Sequence, residues 1–305
     1  MPEYPDVVVY QERLTSYLVG RTLDDVRLGS PFVVRTVDPP LAAAKGAKVH
    51  RVKRLGKRLV LELDEQLFIV LHLMIAGRLR WRRKGLKTTG RGVLAVFDIS
   101  DAPGRPAGCL VFTEASKKKR ASLHVVRGLD SLLPFNRGGL DVSRCSPSAF
   151  AARVRSERHT LKRTLTDPRL FDGIGNAYSD EILHRAGLSP VQLSTNLSDE
   201  AVCRLHDACT AVLSEWTKRL RAEIGDGFPH KVTAFRDEMA VHGKYRQPCP
   251  SCTTPIQRIV RAENEVNYCP TCQTGGKLLA DRALSRLLKT DWPRSLAELD
   301  ERLGR

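Results

Sequence analysis

The chain has 305 residues, and its 50 Lys and Arg against 34 Asp and Glu give a formal net charge of +16. That excess points to a polyanionic partner, with DNA or RNA foremost. Hydrophobic residues make up 42% of the chain, enough for packed cores, yet no apolar run reaches the roughly 18 residues that a membrane helix needs. Glu3, Asp6, Glu12, Asp24 and Asp25 near the start argue against a secretory signal or transit peptide. The expected compartment is therefore the cytoplasm, at the nucleoid in a bacterium, and no membrane partner is expected.

The chain opens MPEYPD. Removal of Met1 makes Pro2 the amino terminus, and its nitrogen becomes a secondary amine. An α-amino group titrates near pH 8, so part of it is unprotonated at neutral pH and able to attack a carbonyl. Glu3 stands beside it as a proton donor or acceptor. The plainer reading is that a small second residue simply permits methionine removal. In segment 7–20, Val9, Leu14, Tyr17 and Leu18 recur at helical spacing. Strand-like pieces follow at 24–29, 48–56, 57–64, 67–74, 92–99 and 109–115. In KRLVLELD, Leu59, Leu61 and Leu63 share one face, while Arg58, Val60 and Glu62 share the other. These features predict an N-terminal β-sandwich or barrel-like domain with an N-terminal helix over residues 1–130.

Residues 131–147 read as a linker. After it the period changes, and 148–244 reads as a helical domain. Ser146 caps a helical stretch over 146–167, and further helices run over 177–186 and from 198 to about 224. The fold class is α+β, multidomain. A cysteine-rich module fills 245–276, and a helical extension fills 277–305. In that extension Leu278, Leu279, Ala283, Leu284, Leu287 and Leu288 form one apolar face, and Leu296, Leu299 and Leu303 a second.

CPSCTTPIQRIVRAENEVNYCPTC carries two CxxC knuckles, Cys249/Cys252 and Cys269/Cys272, around a predicted hairpin that turns at about 262–265. Four thiolates in this pattern wrap one Zn²⁺ tetrahedrally, and a site closed by four protein ligands is structural. Cys109, Cys145, Cys203 and Cys209 lack such spacing and read as ordinary thiols. DGIGNAYSDEIL (172–183) places Gly173 and Gly175 before a helix that starts at about Asn176. Its positive end makes either a phosphate site or a plain helix corner.

The order of these pieces is what carries a family resemblance: MPE-x-P-acidic, a Gly56-Lys57 on a strand, HLMIAGRL, helix–GIGN–helix and CxxC…CxxC. Over about residues 1–276 the chain resembles the formamidopyrimidine-DNA glycosylase/endonuclease VIII family. The resemblance implies a monomeric, bifunctional DNA glycosylase/AP lyase of base excision repair, acting on double-stranded DNA with damaged bases or abasic sites. It implies that Pro2 attacks C1′ of a flipped nucleotide and forms a Schiff base. Glu3 then shuttles protons, Lys57 assists at the phosphate, and the strand is cut by β/δ elimination. Lys162, Gly175 and Asn176 match the phosphate-gripping helix–two-turn–helix. Met74-Ile75 replaces the glycine-methionine of the gap-filling loop, and His72 matches a histidine frequent in the family.

Four positions depart from the family pattern. Asp6 stands where many members have glutamate. Asn264 replaces the arginine of the zinc hairpin, with Arg258 or Arg261 as substitutes. EASKKKRASL (114–123) lacks an aromatic wedge, so Lys117 and Lys118, with Lys119 and Arg120, suit phosphates instead. Segment 225–244 is short for a loop covering 8-oxoguanine. Two other readings compete: a damaged-DNA binder without glycosylase turnover, and an N-terminal-proline tautomerase.

Overall fold

A computed structural model describes residues 1–83, 88, 90–102, 104–229, 232–261, 264–280 and 292–302. The chain divides into two compact units, one of Met1–Arg137 with Trp216–Ala234, the other of Gly138–Glu215 with Phe235–Arg305.

The first unit is built on one helix and eight antiparallel strands. Helix α1 (Tyr4–Leu18) is followed by β1 (Thr22–Leu28), β2 (Ala47–Leu55), β3 (Arg58–Leu63), β4 (Leu67–His72), β5 (Gly77–Arg82), β6 (Val93–Ala102), β7 (Arg105–Glu114) and β8 (Ser122–Arg127). The strand order is β5-β7-β6-β1-β2-β3-β4-β8. The β1–β2 pairing covers only Thr22↔Lys48 and Leu23↔Ala47, so the sheet is two four-stranded halves with a short seam. Leu59, Leu61, Ile69 and Leu71 of one half enter a single core with Phe97, Leu110 and Phe112 of the other, beneath Val7, Tyr10, Leu14 and Leu18 of α1. That is the sandwich logic of two sheets burying their inner faces.

The alternation in β3 is kept on one face only. Leu59, Leu61 and Leu63 join the main core, but Val60 is also buried, with Phe68, Val70 and Val126. Leu132 and Phe135, in a 3-10 stretch over Leu129–Phe135, pack on that second face. Part of the predicted linker is thus an ordered cover. The chain also returns to α1 late: Phe228 packs against Tyr10 and Tyr17 at ring separations of 5.9 and 5.6 Å, and Arg221 pairs with Glu12.

The second unit carries α2 (Pro147–Arg155), α3 (Leu161–Thr166), α4 (Asn176–Ala186), the strands β9 (Gln257–Arg261) and β10 (Asn264–Tyr268), and α6 (Pro270–Thr274). Helix α5 (Asp199–Ile224) runs across the unit boundary. Ser146 caps α2 by accepting from Ala149 N–H. The stretch 146–167 is two helices, not one. Ser194 breaks it by donating from Oγ to Glu157 O at 2.6 Å and from N–H to His159 O at 2.8 Å. Leu161 N–H then turns to Gln192 O. The hairpin pairs Arg261 with Asn264, so the two turn residues lie outside the described ones. In the extension, Lys277 bridges Ser295 and a short helix spans Leu296–Arg302. The apolar face expected at Ala283, Leu284, Leu287 and Leu288 lies outside the described residues, as does Leu303.

Candidate functional site

Helix α1 starts two residues after Pro2, and its first turn is closed by charged side chains. Glu3 is the N-cap and Asp6 the N3 residue of a capping box. Asp6 Oδ2 accepts from Glu3 N–H at 3.0 Å, and the Glu3 carboxylate accepts from the Asp6 N–H. Glu3 and Asp6 are only 3% and 5% exposed, and Pro2 is buried beside them. The shorter aspartate therefore matches the reach of a reciprocal cap. The terminal amine, on Met1 here, has its pKa lowered, chiefly by burial; the charges of Arg78 and Lys57 push the same way, while Glu3 and Asp6 oppose them.

Lys57 stands in the two-residue turn Gly56–Lys57 between β2 and β3, where Gly56 takes φ 65°. Arg54 braces this turn by donating to Gly56 O at 3.0 Å, and its guanidinium lies 4.7 Å from the Tyr4 ring centroid. One side chain thus ties the Lys57 turn to the start of α1. His72 closes β4 opposite Arg58. Burial, then the charges of Arg58, Lys57 and His124, holds its pKa near 4, so it is neutral at pH 7.

In the second unit, Gly173 at φ 81° leads into α4. Gly175 is the N-cap of α4 and Asn176 its first residue. Lys162, on α3, donates from Nζ to Asn176 O at 2.6 Å and to Asp180 Oδ1 at 2.5 Å, and its side chain is 12% exposed. Asn176 donates from Nδ2 to Glu265 O at 3.0 Å, tying the turn to β10. Asp180 also pairs through Oδ2 with His242 Nδ1 at 2.8 Å. The neighbouring Glu181 carboxylate accepts from the backbone N–H groups of Ala240, Val241 and His242. A buried polar network therefore joins α3, α4, segment 240–242 and the hairpin.

The sulfurs of Cys249, Cys252, Cys269 and Cys272 all lie within 4.8 Å of one another. Four sulfurs bound to zinc at about 2.3 Å stand about 3.8 Å apart. The observed Cys252–Cys269 and Cys249–Cys272 separations of 3.4 and 3.9 Å fit that geometry. His184 Nε2 approaches Cys249 Sγ at 3.2 Å, the outer support typical of a thiolate site. The donor set fits one structural Zn²⁺.

Three family models cover most of the chain: the formamidopyrimidine-DNA glycosylase N-terminal domain over residues 1–126, the H2TH domain of the same proteins over 140–223, and the zinc finger found in FPG and IleRS over 246–275. A formamidopyrimidine-DNA glycosylase of Thermus thermophilus is 32% identical, with 90% of this chain covering 100% of the relative. The chain belongs to the formamidopyrimidine-DNA glycosylase family. Its members are DNA glycosylases of base excision repair. A formamidopyrimidine-DNA glycosylase-like protein of Mycobacterium tuberculosis is 40% identical over 151 residues, 50% of this chain and 94% of that protein. The solved MutM (Fpg) of Thermus thermophilus superposes with TM-score 0.72 at 30% identity, over 89% of this chain and 98% of that one. A MutM complex with carbocyclic 8-oxo-G-containing DNA shares the fold, with TM-score 0.77 at 24% identity over 90% of this chain and 100% of that one.

The turn between β4 and β5 takes a defined shape. Met74 has φ 50°, the left-handed region that favours glycine, and it stands where the family has glycine. Ile75 follows it and is 54% exposed. Arg78 fastens the turn by donating to Ile75 O and Gly77 O at 3.1 and 2.7 Å. A side chain on Gly77 would meet Leu73 O at 2.2 Å, so the turn closes only over glycine. The basic loop 115–121 is shaped by Glu114, which is 1% exposed and accepts from the N–H groups of Arg120 and Ala121 at 3.1 and 3.2 Å. Lys119 Nζ folds back to Glu114 O, while Lys117 and Lys118 are exposed.

On the hairpin, Arg258 pairs across from Asn267, and Arg261 from Asn264. Across from Arg258, Asn267 Nδ2 lies 3.4 Å from Asp180 Oδ2. Arg258 lies 4.4 Å from the Tyr245 ring centroid and bonds Glu265 Oε2 at 3.0 Å. The side chain of Arg261 is outside the described ones. Reasoning from sequence missed Arg78, Glu114, Asp180, Glu181 and His242. Asp180-Glu181, directly before the apolar Ile182-Leu183 of α4, was the one signal that pointed to the buried network.

Proposed function

We propose that this glycosylase is bifunctional, releasing an oxidised base and then cutting the strand as an AP lyase, with Pro2 as nucleophile once Met1 is removed. The observation that carries the reading is the buried start of α1, where Pro2 lies beside Glu3, itself 3% exposed. Burial disfavours the protonated form of an amine, and the unprotonated form is the one that attacks.

The amine attacks C1′ of a nucleotide turned out of the duplex, and the glycosidic bond breaks with the base as leaving group. Ring opening gives an iminium linking Pro2 to the sugar, and Glu3 exchanges the proton at the ring oxygen. The cationic iminium acidifies the C2′ proton, so the 3′ phosphate leaves by β elimination and the 5′ phosphate by δ elimination. Lys57 neutralises a phosphate at this site. Ile75, presented by the strained Met74, is the wedge that enters the emptied stack. Lys117 and Lys118 contact phosphates from the basic loop, as do Gly175 and Asn176 from the head of α4. Lys162 shapes that turn through Asn176 O. Arg258, held by Tyr245 and Glu265, is the hairpin arginine that stands in for Asn264, with Arg261 the other candidate. The partner is double-stranded DNA holding a damaged base or an abasic site, and the protein acts as a monomer.

Borohydride trapping on an abasic duplex tests the reading, with intact mass used to confirm that Met1 is gone. We expect an adduct on residue 2 and its loss when Met1 is retained. The trapping rate rises with pH as the amine deprotonates. Tight binding without any adduct would leave a damage binder lacking turnover.

A further inference from the structure

We infer that Phe235 is a stacking shelf for one nucleobase displaced from its neighbours, an inference that rests on the DNA-acting reading above. Phe235 is 68% exposed, yet its ring is held in place. It lies nearly parallel to the His242 imidazole, at 21° and a centroid separation of 5.6 Å. That imidazole is 4% exposed and fixed at both ends: Nδ1 pairs with Asp180 Oδ2 at 2.8 Å, and the His242 N–H donates to Glu181 Oε1 at 2.9 Å. Beside it, Gly243 takes φ 72°, and a Cβ there would fall 2.9 Å from Phe235 Cδ1. The ring is thus seated where only glycine leaves room for it.

An exposed phenyl ring loses hydrophobic free energy to water, and fixing its rotamer also costs entropy. Both costs are offset when a flat apolar partner lies on the ring, because the ordering has been done in advance. In a DNA-binding chain of charge +16 that partner is a nucleobase, whose π-face stacks on an aromatic ring whatever the sequence. The support beneath the shelf is shared with the phosphate turn: Asp180 holds both His242 and Lys162, and Lys162 holds Asn176 O. One rigid carboxylate therefore sets the spacing between a base platform and a backbone site.

The test compares two single strands of equal length, oligothymidylate and a baseless tetrahydrofuran-phosphate strand, by fluorescence anisotropy. Phe235→Ala is expected to weaken binding of the base-bearing strand about tenfold and of the baseless strand less than about twofold, with Phe235→Tyr close to wild type. Equal losses on both strands, or no loss on either, would overturn the shelf. Unfolding midpoints of the variants check that the exposed substitution leaves the fold intact. Wild-type trapping on an abasic duplex judges the parent reading separately. A protein that loses base-dependent binding in Phe235→Ala but never traps keeps the shelf and loses the lyase.

Discussion

At the start of α1 the carboxylates of Glu3 and Asp6 accept from backbone N–H groups, whereas in the second unit Asp180 is held by the side chains of Lys162 and His242. The difference decides what the neighbouring cations do. At the start of α1 burial lowers the pKa of the Met1 amine most, Glu3 and Asp6 oppose it, and the charges of Arg78 and Lys57 add to the lowering. Where a side-chain cation satisfies the carboxylate, that cation is spent on architecture. Lys57 and Lys162 are both lysines at motif positions, but only the first stands in a turn whose geometry is kept by other groups. The turn at the head of α4, proposed above as a phosphate site, is shaped by Gly175 and Asn176, with Lys162 as its brace.

The largest way to break this contrast is to remove the zinc. Chelation, or Cys249→Ser, is expected to unfold the hairpin that receives Asn176 and carries Asn267, since zinc binding in such modules is itself folding free energy on the order of 10 kcal/mol. DNA binding should vanish in parallel with the circular dichroism change; binding by verified metal-free protein would sink the claim. Next is Asp180→Asn, which strands Lys162 and His242 around a neutral group. We expect about 3 kcal/mol lost in denaturant unfolding, and an effect below about 0.5 kcal/mol would mean the network is not buried as described.

Lys162→Met sharpens the comparison further. It should cost about 2 kcal/mol of stability yet leave the salt dependence of DNA binding at the wild-type slope. A slope reduced by about 1 would return Lys162 to direct phosphate contact. The smallest effect belongs to the first unit: Met74→Gly relieves a left-handed φ and is expected to stabilise by about 1 kcal/mol or less while leaving Ile75 in place. Ile75→Ala in that background should still weaken binding to an abasic duplex, and a null result would remove the wedge.

Much of the fold was legible because its signals are local. Alternation in residues 57–64 and the apolar run of 67–74 report strands locally, and the CxxC pairs report a metal through neighbours three apart. Burial on the second face of β3 was not legible, because Val60 is covered by Leu132 and Phe135, some seventy positions later. The split of 146–167 into two helices was hidden for the same reason, since Ser194 breaks it from a distant loop.

For the candidate site the division is sharper. The sequence alone determined the family order of motifs, the four zinc cysteines and the amine-carboxylate pair at the chain start, because each is a short pattern of chemistry. Only the tertiary structure decided that Ile75 is exposed in its turn, that Arg258 is held by Tyr245 and Glu265, that Lys162 is committed to Asp180, and that Phe235 rests on His242. The physical reason is one of range. A residue's chemical type is written at its own position, but which of its atoms are spent on partners depends on groups that the chain brings together from far away.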